Sequence, residues 1–481
     1  MITRAELTEL RDALHPGAVR DDPDLTAGYR TDQANLVAAA RPAAVVAPAS
    51  LAEVQHSLRW ARRHRVPVVT RGAGTGLSGG ANALPGCLVL STERLTAVRD
   101  IDAPNRTATV EAGVINATLN AAAAPHRLMF APDPSSWANC TIGGNIATNA
   151  GGLRCLRYGA TRAAVLGLQV VLADGQAMQT GGATVKRSAG YDLTQLLIGS
   201  EGTLAVIVAA TVRLQALPGP QVTALATFAS LTAAAAAAAG VAGDAGMPTL
   251  LELMDATTVA ALDRLRGTGF GPDVGAVLLV QLDDAPGADS RLQMALTGQG
   301  AGQLHLTRDR AEAEALLDIR RAAYPALQTL GRVLVEDVAV PCTQLPPLIA
   351  AVQRIAATSG LTVAVVAHAG DGNAHPLLVV PPGEDGERRA WDAADAIVAA
   401  ARELGGTVSG EHGIGRLKRR WLADELGPAA LGLHRQIKAA FDPAGILNPG
   451  AIFDPATPPT DANTDIAVDA GTDNDGVRCP G

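Results

Sequence analysis

The chain has 481 residues, 48% of them apolar and 18% charged, with 3% aromatic and a formal net charge of -8. It is too long for one ordinary core, so two or three domains are expected, and an acidic chain without a Lys/Arg stripe argues against a nucleic-acid partner. The five cysteines, Cys87, Cys140, Cys155, Cys342 and Cys479, form no CxxC pair, which argues against an encoded iron–sulfur cluster or zinc ribbon and fits a reducing compartment.

The opening residues Met1–Leu7 include Glu6 and no apolar run, so no secretory signal is expected. Residues 1–40 read as a polar helical arm. Beyond Arg41 the pattern alternates. Ala44–Ala47 reads as a short strand, and Ser50 with Glu53 reads as a capping box opening a helix to about His64. Further strands are expected at Val66–Thr70, Cys87–Ser91, Thr107–Ala112, Val165–Ala173, with a hairpin signal at Asp174-Gly175, and Leu204–Leu214. Leu217-Pro-Gly-Pro220 marks a boundary, giving domains over 41–218 and 219–440. In the second domain, strands at Leu250–Met254, Val277–Leu282, Val333–Val340 and Thr362–Ala367 fit an antiparallel sheet with helices on one face.

The alanine run Ala233–Ala239 falls short of the ~20 residues of a membrane span. A cytoplasmic protein without a transmembrane segment is expected, with docking to a membrane-bound partner left open. The basic clusters Arg62-Arg63-His64-Arg65 and Arg416-Leu-Lys418-Arg419-Arg420 read as solvated helix faces. Residues 441–454 close the ordered chain, and 455–481, with five Asp, read as a disordered acidic tail.

Gly74, Gly76 and Gly79 spell a formal GxGxxG, and Glu93 lies near the offset of a ribose-binding acid. The context is wrong, because Ala81–Gly86 and then a strand leave no room for the helix whose N-terminus would face a pyrophosphate. The loop reads instead as a nest of backbone N–H groups. A second Gly/Asn-rich loop, Thr141–Gly152, follows, and two such loops suit a large dinucleotide lying between them.

The most informative pattern is His368-Ala-Gly-Asp-Gly-Asn-Ala-His375, followed by Ser409-Gly-Glu411-His412-Gly-Ile-Gly. His368, His375 and Glu411 are a plausible three-ligand site for a divalent metal with a position left open. On extended chain His412 would face away from Glu411, free to take a proton from whatever the metal holds.

Arg71-Gly-Ala-Gly-Thr-Gly-Leu-Ser-Gly-Gly80, Asp133-Pro-Ser-Ser136, Cys140-Thr-Ile-Gly-Gly-Asn145 and Gly199-Ser-Glu-Gly-Thr-Leu204 resemble the FAD-binding domain of vanillyl-alcohol-oxidase-type flavoproteins. With Glu336-Asp-Val-Ala-Val-Pro341, the two His/Glu motifs and Phe441-Asp-Pro-Ala-Gly-Ile-Leu-Asn-Pro-Gly450, the chain resembles the FAD-linked D-2-hydroxyacid dehydrogenases over roughly residues 30–455. That group includes D-lactate dehydrogenase, the glycolate oxidase flavoprotein subunit and D-2-hydroxyglutarate dehydrogenase. The resemblance implies an α+β protein: a two-part FAD-binding domain plus an α+β substrate domain with antiparallel sheet and metal site, and a 441–454 segment returning to the flavin.

It implies non-covalent FAD, since the first loop lacks the His that often carries covalent flavin. The implied FAD-binding residues are Arg71, Gly72, Ala73, Gly74, Thr75, Gly76, Leu77, Pro132, Asp133, Ser135, Ser136, Thr141, Gly143, Gly144, Asn145, Ala147, Thr148, Gly202, Ile207 and Asn448. Zinc or manganese on His368, His375 and Glu411, His412 as base and Arg320 on the substrate carboxylate are implied likewise. Relatives acting on the dicarboxylate 2-hydroxyglutarate carry a Lys where this chain has Val335, which favours D-lactate or glycolate.

The expected reaction passes hydride from C2 to flavin N5 and electrons onward to a quinone, an electron-transfer flavoprotein, a cytochrome or an iron–sulfur subunit. The alternatives are a D-2-hydroxyglutarate dehydrogenase, a non-oxidative flavoenzyme or a non-catalytic FAD subunit of the same fold, and a metal-dependent hydrolase.

Overall fold

A computed structural model describes residues 2–244 and 247–454; the expectation for 455–481 lies outside them. The first sheet has the spatial order Val19–Arg20, Ala44–Val46, Leu88–Ser91, Val68–Arg71, and its last three strands run parallel. Between Val68–Arg71 and Leu88–Ser91 the chain crosses without a helix, so the formal GxGxxG has nothing behind it to bind a pyrophosphate as a dinucleotide fingerprint does.

The helix Leu51–His64 is capped at Ser50, whose hydroxyl accepts the Glu53 N–H. Glu53 does not close the expected reciprocal box: its carboxylate accepts from Ala49 N–H and pairs with His15. The N-terminal helical arm packs on this unit. The helix Arg4–Asp12 places Leu7 and Leu10 in one core with Val54, Leu58 and Trp60, and the Trp60 indole donates to the Glu6 carbonyl at 3.1 Å. Arg62, Arg63 and His64 occupy the last turn of Leu51–His64, where cations complement the helix dipole.

The second sheet is antiparallel, in the order Val98–Asp102, Thr107–Glu111, Val206–Arg213, Val165–Val171, Ala177–Gly181. The segment Thr141–Gly152, expected as a loop, contains a helix, Ile142–Thr148, capped by the Thr141 hydroxyl. Two helix-weakening glycines survive there because of contact. Gly143 donates to the Ala112 carbonyl at 2.8 Å, and a Cβ on it would come within 2.6 Å of the Ala112 Cβ.

The third sheet has eight strands in antiparallel pairing. Its path runs Leu304–Thr307, Gln221–Phe228, Ala276–Asp283, Leu250–Asp255, Val363–His368, Asn373–Val380, Arg332–Val335, with Val338–Ala339 also on Asn373–Val380. Helices cover both faces, not one. Leu231–Asp244, Ala288–Thr297, Leu345–Ser359 and Glu384–Glu403 pack on one side; Ala256–Arg266, Arg310–Arg321 and Ala323–Gln328 pack on the other. The near-continuous apolar runs Leu250–Met254 and Val277–Leu282 carry that information, because a strand with one wet face would alternate.

The expected strand Val333–Val340 is interrupted at Glu336-Asp337, two fully buried acids. The chain's end returns to the first sheet, where Val68 N–H donates to the Ile446 carbonyl at 2.7 Å and Asn448 N–H to the Val68 carbonyl at 2.8 Å.

Candidate active site

A cavity of about 460 Å³ lies where the three sheets meet. Gly72–Leu77, Ser135, Ser136, Thr141, Gly143, Gly144, Asn145, Ala147, Thr148, Gly202 and Ile207 all line it. Small side chains leave its wall largely backbone, a shape that admits an extended ligand closely. Four residues expected on that wall stand behind it. Arg71 reaches the carbonyls of Ala81 and Gly28, Pro132 accepts from the Asn116 amide, and Asp133 pairs with Arg154 at 2.9 Å. Asn448 donates to the carbonyls of Gly80 and Glu201, each at 2.8 Å, and accepts from Arg416. These residues shape the wall without forming it.

The other end of the cavity is built on a hairpin. His368 ends the strand Val363–His368 and pairs with Asn373, while His375 pairs with Val366. Side chains alternate along strands, so the two imidazoles share one face, and their ring centroids lie 5.1 Å apart. The Glu411 carboxylate meets both: its Oε1 is 3.1 Å from Nε2 of His368 and 3.1 Å from Nε2 of His375. The three donor atoms all lie within 4.8 Å of one another, and two imidazoles with one carboxylate are a donor set that suits a divalent ion. Burial opposes the charge on His368, but Glu252 and Glu411 overcome it and raise its pKa well above the usual imidazole value. Glu411 is buried too, yet His368 and His375 pull its pKa well below the usual carboxylate range.

His412 does not face away from this group. The segment around it is irregular rather than extended, and its ring stacks on His375 at 4.8 Å with 9° between planes. Asp337 makes that shape: its carboxylate accepts the N–H groups of Glu411 at 3.0 Å and His412 at 2.8 Å, the Ser409 hydroxyl at 2.7 Å and the Asn373 amide at 2.9 Å. Burial drives the His412 pKa down to about 4 against the pull of Asp337. Its Nδ1 is buried without a protein hydrogen-bond partner among the described residues.

Arg320, on the helix Arg310–Arg321, lines the cavity and is 6% exposed. Its Nε lies 2.8 Å from Oε2 of Glu252, whose Oε1 lies 2.7 Å from Nδ1 of His368. Glu252 was not singled out in the sequence; its one signal is an acid inside the apolar run Leu250–Met254. Tyr324, on the next helix, Ala323–Gln328, also lines the cavity, and its buried hydroxyl makes no well-aligned hydrogen bond to protein, with Gln328 nearby. Val335, Val366 and Leu377 complete this end.

The cluster Arg416–Arg420 is not a solvated face. Lys418 is fully buried, donating to the carbonyls of Asp337 at 2.6 Å and Val408 at 2.8 Å and lying 3.5 Å from Glu336. Arg416 binds the carbonyls of Gly79 and Asn82 beside its bond to Asn448. Glu201, also missed, lines the cavity and accepts the N–H groups of Ile414 at 2.7 Å and Gly415 at 2.8 Å. Glu93, the would-be ribose acid, instead pairs with Arg20 and accepts from the Tyr29 hydroxyl.

Comparison with known proteins bears on what fills this cavity. Residues 42–181 match the FAD binding domain, and 217–452 match the C-terminal domain of FAD linked oxidases. The chain belongs to the FAD-linked oxidase family. It is 39% identical over 418 residues to glycolate oxidase subunit GlcD of Bacillus subtilis, covering 86% of this chain and 89% of that one. It is 38% identical over 433 residues to D-lactate dehydrogenase of Archaeoglobus fulgidus, covering 88% and 95%.

Among solved structures it resembles p-cresol methylhydroxylase with substrate bound, with TM-score 0.76 and 17% identity over 94% of this chain and 98% of that one. It also resembles the 4-ethylphenol oxidase of Gulosibacter chungangensis, with TM-score 0.74, 18% identity and the same coverage. At such identities these two share its vanillyl-alcohol-oxidase-type fold and nothing finer. This FAD-linked oxidoreductase has no helix among its described residues long and apolar enough to cross a membrane.

Proposed function

We propose that this family member oxidises a short D-2-hydroxy acid such as D-lactate, or glycolate, to the 2-oxo acid and passes the electrons to an external acceptor. The observation that carries the reading is the convergence of His368, His375, Glu411, His412 and Arg320 on one end of a cavity whose other end is the glycine-lined wall. Bound FAD would supply a two-electron acceptor, and zinc or manganese on His368, His375 and Glu411 would supply Lewis acidity toward the substrate hydroxyl.

The remaining work falls to side chains. Arg320 offers a planar guanidinium for the substrate carboxylate. Val335, Val366 and Leu377 surround the rest of a short substrate with apolar surface and keep water from C2. His412, neutral because it is buried, accepts the hydroxyl proton, a contribution of roughly 10²–10⁴ in rate. The glycine segments hold FAD non-covalently, as no His stands in residues 71–80. With no CxxC pair in the chain, the acceptor is a quinone, an electron-transfer flavoprotein, a cytochrome or a partner iron–sulfur subunit.

The test is an anaerobic visible spectrum with D-lactate, L-lactate, glycolate and D-2-hydroxyglutarate added separately, with and without a chelator. Chelator-sensitive bleaching by D-lactate or glycolate is expected. A flavin that no 2-hydroxy acid reduces overturns the reading.

A further inference from the structure

Glu252 is fully buried and sits in the middle of the third sheet, on the strand Leu250–Asp255. In the pairing of that strand with Val363–His368 it lies directly opposite His368, so the two side chains share a face. Its two carboxylate oxygens have different partners. Oε1 meets Nδ1 of His368 at 2.7 Å, and Oε2 meets Nε of Arg320 at 2.8 Å. His368 turns its other nitrogen to Glu411, and Arg320 approaches from a helix on the far side of the cavity wall.

We propose that Glu252 is a positioning residue that joins the two halves of substrate recognition, the imidazole that would hold a metal and the guanidinium that would hold the carboxylate. The inference rests on the function proposed above. A carboxylate on the far nitrogen of a ligating His fixes its tautomer and ring direction, and such partners change metal affinity by 10–100-fold when removed. Here the second oxygen of the same carboxylate also forms a buried ion pair with Nε of Arg320, at 2.8 Å but not aligned as a hydrogen bond, while Arg320 itself lines the cavity. One carboxylate therefore orients the metal-facing imidazole through a hydrogen bond and anchors the guanidinium beside it through charge. Simple neutralisation of a buried arginine would not require the second oxygen to sit on His368.

The distinguishing consequence is that Arg320 influences metal binding without touching the metal site. The experiment measures Zn²⁺ affinity of the flavin-loaded protein by competition with a chromophoric chelator, for the parent, Glu252→Gln, Arg320→Met and His368→Ala. FAD content and Tm are recorded for each. Glu252→Gln is expected to weaken Zn²⁺ binding tenfold or more, and Arg320→Met several-fold, with FAD content close to the parent and Tm lowered in both by the broken ion pair. Glu252→Gln should also raise KM for the hydroxy acid. Unchanged Zn²⁺ affinity in either folded variant, beside a deficient His368→Ala, overturns the role of Glu252. Unchanged affinity in His368→Ala overturns the metal assignment itself. Should Glu252→Gln fail to fold, the Arg320→Met affinity decides alone.

Discussion

Ser78 donates its hydroxyl to the main-chain carbonyl of His412 at 2.6 Å. The first glycine loop and the segment carrying the proposed base are thus tied directly, although 334 positions separate them in sequence. The Ser78 carbonyl accepts in return from Arg416 N–H at 2.8 Å and Leu417 N–H at 3.0 Å.

Ser78→Ala removes the side-chain half of that tie and leaves the main-chain half. A loss of about 1 kcal/mol in stability is expected, the usual worth of one such bond. Because the freed carbonyl belongs to His412, kcat should fall more than FAD affinity. Thermal unfolding, flavin titration and steady-state rates check the three parts separately. An equal fall in FAD affinity and kcat would place the effect in the glycine loop instead.

Glu201 gives a pH signature. Burial raises its pKa from 4.5 to about 7, although two backbone N–H groups oppose the shift. The folded protein therefore binds a proton there that the unfolded chain has already released, so the unfolded state binds fewer protons between pH 4.5 and 7. Stability falls with rising pH in that window and is flat in this group above it. The contribution lost is on the order of 3 kcal/mol. Unfolding free energy across pH 4–8 for the parent and Glu201→Gln isolates it: their difference should change across the window and be constant above pH 7.

Gly143→Ala should be costly out of proportion to one methyl. The new Cβ would lie 2.6 Å from the Ala112 Cβ and 2.8 Å from its carbonyl oxygen, and main chain cannot swing aside. Overpacking of about 1–3 kcal/mol is expected. Since the helix Ile142–Thr148 would have to move, the protein should also retain less FAD, read from the ratio of visible to ultraviolet absorbance after gel filtration.

How much was legible in the sequence depends on whether a residue's role is local. His368 and His375 were legible as a pair because both sit in one short Gly-rich motif, while the hairpin that puts them on one face came only with the pairing of Val363–His368 and Asn373–Val380. The wall from Gly72 to Leu77 was readable for the same reason: a run of residues without bulk can do little else. Glu252, Glu201 and Lys418 were not. Each is an ordinary charged residue in sequence, and its meaning comes from partners distant in the chain: His368, 116 positions from Glu252, Ile414, 213 from Glu201, and Asp337, 81 from Lys418. Lys418 illustrates the failure best, since Arg416-Leu-Lys418-Arg419-Arg420 has the composition of a wet helix face, and only tertiary contact reveals the one lysine turned inward. Asn448, expected near the flavin, has its side chain on the carbonyls of Gly80 and Glu201 and on Arg416, contacts that its motif does not spell out.

Lys418→Met tests that inward turn. The methionine keeps most of the volume but leaves Glu336 and Asp337 without a cation, in a site where all three residues are fully buried. Removing one partner of a buried ion pair costs roughly 3–5 kcal/mol. Glu336, already raised to about 7 chiefly by burial with Lys418 opposing, should become neutral in the variant. Adding Glu336→Gln to Lys418→Met should therefore recover part of the stability, measured by denaturant unfolding. No recovery would mean that the lysine acts through the carbonyls of Asp337 and Val408 alone.

Tyr324 separates substrate binding from folding. Its hydroxyl is buried and makes no well-aligned hydrogen bond to protein, although the Gln328 side chain is close enough to act on it; such a group costs stability unless a ligand satisfies it. Arg320, at the end of the preceding helix, lines the same cavity end, so a carboxylate held by the guanidinium is the natural acceptor. Tyr324→Phe deletes the orphan oxygen and keeps the ring. Without substrate the variant should be as stable as the parent or more so. With substrate it should show a KM raised by about three- to tenfold, the equivalent of one hydrogen bond of about 1 kcal/mol. Opposite signs for Tm and substrate affinity are what a ligand-directed hydroxyl requires; a hydroxyl that merely packs would leave KM unchanged.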